Sequence, residues 1–439
     1  MQIVKYRRFS RANWLNIHLY LALSAGLFFV ILGITGSISV YRDELDELLN
    51  PQLVVDQPLA DYLPLDKIMA AVRMQHPNRL GAWTLEMPRT PHGMITAWFD
   101  KPRETFFEYY APLMVSVNPY TAEVVASRFW GQTTVTWILD LHTQLRMERW
   151  GWQCVGGLGF LMLLSILSGL YLWWPGYAQL KTAFRLRCNS GVLKLAFDGH
   201  KLLGFLGAPA LLILAFTGFQ LSFPVLLENL TQSTAMTHGN NGPNIRSSAQ
   251  PNNRPIVLED AEFIARGAFK RSQLRRITTP VGETGTYRVN LRLGRELNQK
   301  HPLTMVWVDR WSGHIREVRD PGEFSTGQRF ASLMWPLHTG EALGDTGRRV
   351  WFMTGFIPLV LYLTGLLHWL HRRGKIRDRQ IDYVGIKAAV QRLGYTCYRL
   401  ALRLAHWLLP ILKQQVPVIK ASADKLTVLA HQLFTRLTK

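Results

Sequence analysis

Four apolar stretches constrain this chain of 439 residues more than any other feature. They run roughly over 17–41, 152–174, 202–224 and 350–370. Each is long enough to cross a bilayer core of about 30 Å as a helix. In lipid the backbone must satisfy its own hydrogen bonds, and a helix does so within one segment. Two long polar segments, about 43–140 and 225–345, separate the first stretch from the second and the third from the fourth. The expected fold class is membrane α-helical, with four transmembrane helices and two small α+β domains between them.

Charge sets the expected orientation. Lys5, Arg7, Arg8 and Arg11 precede the first helix. Lys181, Arg185, Arg187 and Lys194 fill the short loop between the second and third, and Arg372, Arg373, Lys375, Arg377 and Arg379 follow the fourth. By the positive-inside rule these three regions face the cytoplasm, which puts both termini inside and the two polar segments outside. Asp43, Glu44, Asp46 and Glu47, at the outer end of helix one, agree. The expected location is a bacterial cytoplasmic (inner) membrane, crossed several times, with two periplasmic domains. The net charge of +20 alone would suit a nucleic-acid partner. The basic residues flank apolar helices, however, and no nucleic-acid motif accompanies them, so the lipid bilayer is the partner expected and no nucleic acid. The first stretch has the charged flank of a signal peptide, but it is long, lacks a small-residue cleavage pattern and carries a pattern that returns later; it reads as a retained anchor. Of the cysteines, Cys154, Cys188 and Cys397, none lies in a polar segment, so no disulfide framework is expected there.

The chain resembles itself across its two halves. His18 is followed 17 residues later by Thr35-Gly36, and His200 by Thr217-Gly218 at the same spacing. Leu141-His142-Thr143 leads into helix two, which closes on Ser168-Gly169. Leu337-His338-Thr339 leads into helix four, which closes on Thr364-Gly365, and the spacing from His to Gly is 27 in both. Each polar segment opens with a helical pattern, over 65–76 and about 258–269. Strand-like runs follow around 83–87 and 94–100, and around 276–280 and 287–293. Each segment then closes on a strand, a tight turn and a strand, from Val115 to Val124 and from Val306 to Ile315, with β-branched residues flanking turn formers. The unit of helix, small α+β domain and helix thus occurs twice. Both copies begin and end inside, so two tandem parallel repeats about an axis along the membrane normal are expected.

An ionisable side chain in a membrane helix marks a functional site by default. A single histidine serves equally well as an interhelical hydrogen-bond partner; four at repeat-equivalent positions favour ligation. His18 and His200 stand near the inner starts of helices one and three, and His142 and His338 precede helices two and four on the outer side. Two imidazole pairs at two depths suit two haems per chain, each held axially from both faces. Without a Cys-x-x-Cys-His run the haem would be b-type. Zinc or non-haem iron fits less well: only Asp198 stands near the inner pair, and closed zinc sites take four ligands. Gly204, Gly207 and Ala208 would let a porphyrin approach the backbone or pack helix on helix, two roles that do not exclude each other. His368, beside His371, has Leu172 at its equivalent place and breaks the symmetry. It is a further candidate for cofactor binding, in place of His18 or His200, or a contact for an electron donor, or an interfacial side chain beside Trp369 and Arg372.

A straight helix from His142 to Gly169 would be about 40 Å long, more than the hydrocarbon core. A break is expected, at Gly151 in the first copy and over Gly344-Asp345-Thr346-Gly347 in the second. His142 and His338 then lie on short segments near the outer interface, where tryptophans anchor. Arg271, Arg275, Arg276, Arg288 and Arg292 form either a solvated strand surface or an attraction for an anionic chelate.

Taken as a set, these residues resemble the PepSY-associated transmembrane proteins, also described as iron-regulated or iron-uptake-associated membrane proteins. The matching features are the histidines near the starts of helices one and three and the Leu-His before helices two and four. The Thr-Gly helix ends and the Val-Asn/Asp-x-x-Thr/Ser-Ala/Gly turn of the outer domains complete the set. The resemblance covers about residues 10–375 and implies PepSY-like folds for the two outer domains. One branch of the family is similar to inner-membrane ferric-siderophore reductases with two b-type haems. The resemblance therefore implies a haem-dependent oxidoreductase that releases iron by reducing Fe(III) in a periplasmic siderophore, fed by a quinol or a flavoprotein. Such electron transfer needs no acid–base or nucleophilic catalyst. Unlike flavin-reductase fusions of the family, this chain has no Gly-rich dinucleotide fingerprint after a strand. Two other functions stay open: a non-enzymatic binding or regulatory module on a membrane anchor, and a siderophore or haem permease.

The expected organisation is 1–42, N-terminus and helix one; 43–140, first PepSY-like domain; 141–176, interfacial segment and helix two; 177–224, cytoplasmic loop and helix three. It continues with 225–336, second PepSY-like domain; 337–374, interfacial segment and helix four; and 375–439, a basic tail that reads as an amphipathic helix on the inner leaflet.

Overall fold

The computed structural model describes residues 10–187, 191–231, 244–248, 254–377 and 399. The expected amphipathic helix of the tail, the basic residues Lys5, Arg7, Arg8 and Arg379, and Cys188 and Cys397 lie outside the described residues.

In chain order the elements begin with α1 (Arg11–Val40), α2 (Arg42–Leu49) and α3 (Leu65–Gln75). The strands β1 (Thr84–Glu86), β2 (Ile95–Phe99), β3 (Leu113–Val117) and β4 (Val124–Phe129) follow. Next come α4 (Thr134–Gln144), α5 (Glu148–Trp173), α6 (Leu180–Ala183), α7 (Val192–Ser222), α8 (Pro224–Thr231) and α9 (Leu258–Ala268). Four more strands, β5 (Gln273–Thr278), β6 (Thr286–Arg292), β7 (Thr304–Asp309) and β8 (Ile315–Arg319), precede α10 (Thr326–Ser332), α11 (Met334–Thr339), α12 (Gly344–Thr354) and α13 (Ile357–Arg372).

Among the described residues four helical spans are long and apolar enough to cross a membrane: Arg11–Val40, Glu148–Trp173, Val192–Ser222 and Glu341–Arg372. This is a membrane protein whose helices run past the apolar stretches at their polar ends. α1 starts where the Ser10 hydroxyl accepts the Asn13 N–H, satisfying one of the open donors of the first turn. The described residues fall into two compact units, one over 10–184 and 200–366, the other over 185–199 and from 367 onward. In the second unit the Arg187 guanidinium binds the buried Asp198 carboxylate through two N–H groups, at 2.8 and 2.7 Å.

The break before the second span is displaced from its expected place. α4 ends at Gln144, and Leu145 and Arg146 take left-handed φ values of 48° and 56°. Gly151 lies inside α5 instead. A Cβ there would run into the Gln144 carbonyl, so this glycine lets the first turn of α5 pack under the end of α4. In the fourth span the chain turns at Gly340, with φ 82°, and again at Gly344, with φ 59°, where α12 begins, so the break starts ahead of the expected Gly344–Gly347 run and extends into it. Gly347 again allows close packing, against the Gly340 carbonyl.

The strands form one antiparallel sheet of order β4-β3-β2-β1-β5-β6-β7-β8. The two polar segments meet where β1 pairs with β5, Thr84 opposite Thr278, Leu85 opposite Ile277 and Glu86 opposite Arg276. α3 and α9 cover one face. Ile68, Met69, Val72, Ala261 and Ala265 pack there on Leu85, Ile95, Val115, Ile277, Val289 and Val306. Burial of each large side chain in that layer contributes roughly 1.5–3 kcal/mol. The two closing turns share one chemistry. The Asn118 side-chain oxygen accepts the Tyr120 N–H, and the Asp309 carboxylate accepts those of Trp311 and Ser312. Ala122 and Gly313 then take left-handed φ values of 61° and 72°.

Ion pairs fasten the sheet to α2. Arg128 of β4 grips Asp46 with two bonds of 2.9 and 2.8 Å, and the Lys300 ammonium binds both Asp43 oxygens at 2.8 and 2.7 Å. Across the β1–β5 seam Glu86 binds Arg275 at 3.0 Å and Arg276 at 2.9 Å. Burial alone would raise the Glu86 pKa; Arg276 and Arg275 outweigh it and hold the carboxyl at about 2.

Candidate functional site

The fold brings the four histidines together in two pairs. The His18 and His200 ring centroids lie 6.5 Å apart, with the planes at 88°. Those of His142 and His338 lie 6.1 Å apart, at 38°. His18 projects from the first half of α1 and His200 from α7, whereas His142 and His338 sit on the short helices α4 and α11. Short segments for the second pair are what the helix-length argument requires.

Each ring rests on a glycine of another helix, and a hydroxyl residue precedes that glycine. Gly169 lies under His18, Gly365 under His200, Gly36 under His142 and Gly218 under His338. A Cβ at these positions would stand 3.1, 3.4, 2.8 and 3.1 Å from the ring Cε1, so an added methyl would press on the imidazole at Gly169, Gly36 and Gly218 and just touch it at Gly365. The Ser168 and Thr364 hydroxyls meet Nδ1 of His18 and His200 at 3.0 and 2.9 Å, and the Thr217 hydroxyl meets Nδ1 of His338 at 2.9 Å. His142 turns Nδ1 to the Leu32 carbonyl at 2.9 Å, with Thr35 at 3.4 Å; His18 also reaches the Ser165 carbonyl at 3.0 Å.

Chemistry fixes the tautomer. A carbonyl only accepts, so Nδ1 of His18 and His142 carries the proton. Thr35, Thr217 and Thr364 donate to carbonyls of their own helices, and Ser168 does the same to Ser165. Their oxygens are therefore left to accept from Nδ1–H. Nε2 is then the unprotonated nitrogen, and in His18, His142 and His338 it makes no hydrogen bond within the described residues. An Nδ1–H bonded to a carbonyl or hydroxyl is the arrangement by which proteins orient a ligating imidazole and raise its basicity. Burial also pushes the His142 and His338 pKa values down, keeping both rings in the neutral, ligating form.

The pairs fit axial ligation. A metal–nitrogen bond of about 2 Å on each side, plus about 1.1 Å from that nitrogen to the ring centre, would put the centres of two ligating imidazoles about 6.2 Å apart. The observed separations of 6.5 and 6.1 Å bracket that value. Among the described residues no group of three or more His, Cys, Asp and Glu stands together, which a closed zinc site would require. Along α1 the two levels are far apart: His18 precedes Thr35 by 17 residues, or about 25 Å of helix rise.

Other candidates have different neighbours. The His368 ring stacks on Phe197, centroids 4.9 Å apart. Gly207 faces Ile357 and Gly204 faces Leu361, contacts of helix on helix. The sequence reading missed the Ser/Thr-Gly pairs as histidine holders. Their signal was present in the constant 17- and 27-residue spacings, which match each histidine to the end of a helix rather than to a second ligand.

No curated protein matches the chain. The family described as the PepSY-associated TM region matches it over residues 15–372, well over half of its length. With its four apolar spans, its eight-stranded antiparallel sheet and its paired histidines, the chain belongs to the PepSY-associated transmembrane family.

Proposed function

We propose that this protein is an inner-membrane b-type haem protein, with two haems per chain, that passes electrons outward to a ferric siderophore in the periplasm and so releases iron. One observation carries the reading: two imidazole pairs at a spacing that suits axial ligation, each ring seated on a glycine and held through Nδ1, with Nε2 of His18, His142 and His338 left for a metal. A haem held between each pair would supply reversible one-electron chemistry. His18 and His200 would hold one near the cytoplasmic side, and His142 and His338 the other near the periplasmic side. The basic segments around the membrane spans support that orientation. The matched spacings, holders and turns support two tandem parallel repeats, with residues 43–140 and 225–336 as two PepSY-like halves of one periplasmic sheet. The electron donor, a quinol or a cytoplasmic flavoprotein, would approach the His18–His200 level and the siderophore the sheet. Fe(II) binds hydroxamate and catecholate oxygens less tightly than Fe(III), so reduction loosens the iron.

The visible spectrum of the detergent-purified protein, oxidised and dithionite-reduced, tests the reading together with a pyridine haemochrome assay. Low-spin b-type bands and two haems per chain are expected, falling to one on His18→Ala or His338→Ala. A protein that stays colourless after expression with ample haem would sink the reductase and leave a binding module on a membrane anchor.

A further inference from the structure

We propose that the sheet face turned toward α2 holds a binding site for a polyanionic oxygen ligand, built by Arg292 and Arg319 around the amide of Asn290. Alternation along β6 sends Arg288, Asn290 and Arg292 to the face away from α3 and α9, whose layer takes Val289 and Leu291. Register surrounds Asn290 with basic residues. Arg276 is its partner on β5, and Met305, its partner on β7, lies opposite Arg319 on β8. The same face carries Trp98 and Arg128; Trp98 packs near Trp130, over which Arg42 lies, and Arg128 binds Asp46, so this face looks toward α2.

Arg292 and Arg319 carry N–H groups without acceptors. Asn290 is 7% exposed, yet its amide makes no hydrogen bond within the described residues. Nε of Arg292 and Nη2 of Arg319 are buried with no acceptor. Arg319 spends only Nε, on the Leu303 carbonyl at 2.7 Å. The nearby carboxylates are committed. Glu86 takes Arg275 and Arg276, while Glu296 accepts from the Leu303 N–H and the Thr304 hydroxyl, both at 2.7 Å. Glu317, opposite Trp307, is exposed one row further out. Burial pushes the Arg319 guanidinium down to about 10; Glu296 opposes this and Arg288 adds to it. Buried guanidinium N–H groups without acceptors are costly, and a carboxylate or catecholate would satisfy them in pairs.

The site lies close to the second histidine pair. Leu303, which lends its carbonyl to Arg319, packs with Met334, one helical turn before His338. On the proposed function, which this inference presupposes, the ligand is a ferric chelate with carboxylate or catecholate donors and net negative charge, in preference to a neutral hydroxamate.

The test uses the full chain in phosphatidylcholine nanodiscs. Gallium(III) tris-catecholate, net −3, and a neutral gallium(III) trihydroxamate are titrated by calorimetry; gallium is not reduced, so binding is read apart from electron transfer. The anionic complex is expected to bind at least tenfold tighter, with affinity falling as salt rises. Arg292→Gln with Arg319→Gln should remove tenfold or more of that affinity while the haem spectrum stays unchanged. Arg103→Gln, an exposed arginine elsewhere, should leave it intact. Equal affinity for the two complexes, or an equal loss in the Arg103 variant, overturns the proposal. If the anionic complex binds as expected but its iron(III) counterpart does not oxidise the reduced protein, the site stands and the reductase reading fails.

Discussion

The glycines beneath the histidines offer a graded test, because their clearances differ. A Cβ on Gly36 would stand 2.8 Å from the His142 ring, where ordinary contact begins at 3.4 Å, so the ring must retreat by about 0.6 Å. At Gly169 and Gly218 the figure is 3.1 Å and the retreat about 0.3 Å; at Gly365 it is 3.4 Å and none is needed. A ring held to a metal at about 2 Å could not give way by about 0.6 Å, so the substitution would either break that bond or disturb the helix packing. Overpacking of this kind costs about 1–3 kcal/mol, or roughly a tenfold to hundredfold loss of haem affinity. On the proposed function, Gly36→Ala should therefore lose the haem at the His142–His338 level or turn it high-spin. Gly169→Ala and Gly218→Ala should weaken one haem each, and Gly365→Ala should match the parent. The assays are haem per chain and the low-spin electron paramagnetic resonance signal of the purified variants. Gly156→Ala, which would press on Phe223 and Ser222 rather than on a histidine ring, reports general disruption of helix packing. A Gly36→Ala protein with both haems low-spin, or a Gly365→Ala protein as damaged as Gly36→Ala, would refute the idea that these glycines seat axial ligands.

Three further outcomes follow from the same geometry. Ser168→Ala and Thr217→Val each remove an acceptor from a ligand Nδ1–H; the imidazole becomes less basic, and redox titration should show that haem's potential rising by at most ~40 mV, the equivalent of about 1 kcal/mol. Glu86, held at about 2 when folded against 4.5 unfolded, contributes about 3 kcal/mol above pH 4.5 that is lost as pH falls toward 2. Denaturant unfolding should show that loss in the parent and a flatter profile in Glu86→Gln. His368→Ala should retain both haems by pyridine haemochrome, because the ring stacks on Phe197; loss of one would return His368 to the ligand set.

Much of this was legible because it depends on periodicity and spacing. The four spans follow from apolar length, and the histidine pairing follows from the recurrence of His18 at His200 and of His142 at His338. α3 and α9 ended within a residue of their expected limits because Ile68, Met69 and Val72, and Ala261 and Ala265, mark one face of each. The break before α5 was not legible: it uses left-handed Leu145 and Arg146, which local preference does not favour, while the obvious glycine, Gly151, serves packing. Nor was the fusion of the two α+β segments, since the seam joins Thr84 to Thr278 across most of two hundred residues and leaves no local mark. The role of Ser168, Thr217 and Thr364 was hidden for a related reason. A hydroxyl before a glycine near a helix end has many uses, and only the tertiary fold places a histidine against it.

That seam has a bearing on any attempt to divide the chain. Only three residue pairs join β1 to β5, yet they turn what would be two edges into the middle of a sheet. A piece ending near residue 140 would bare β1, and one starting near 225 would bare β5, each as a row of open N–H and C=O groups with Leu85 or Ile277 at its centre. Such an edge is a template for pairing with another chain. Either half prepared alone should therefore come out as a dimer or an aggregate, and the smallest soluble portion that stays monomeric should carry both halves joined by a linker in place of the membrane helices.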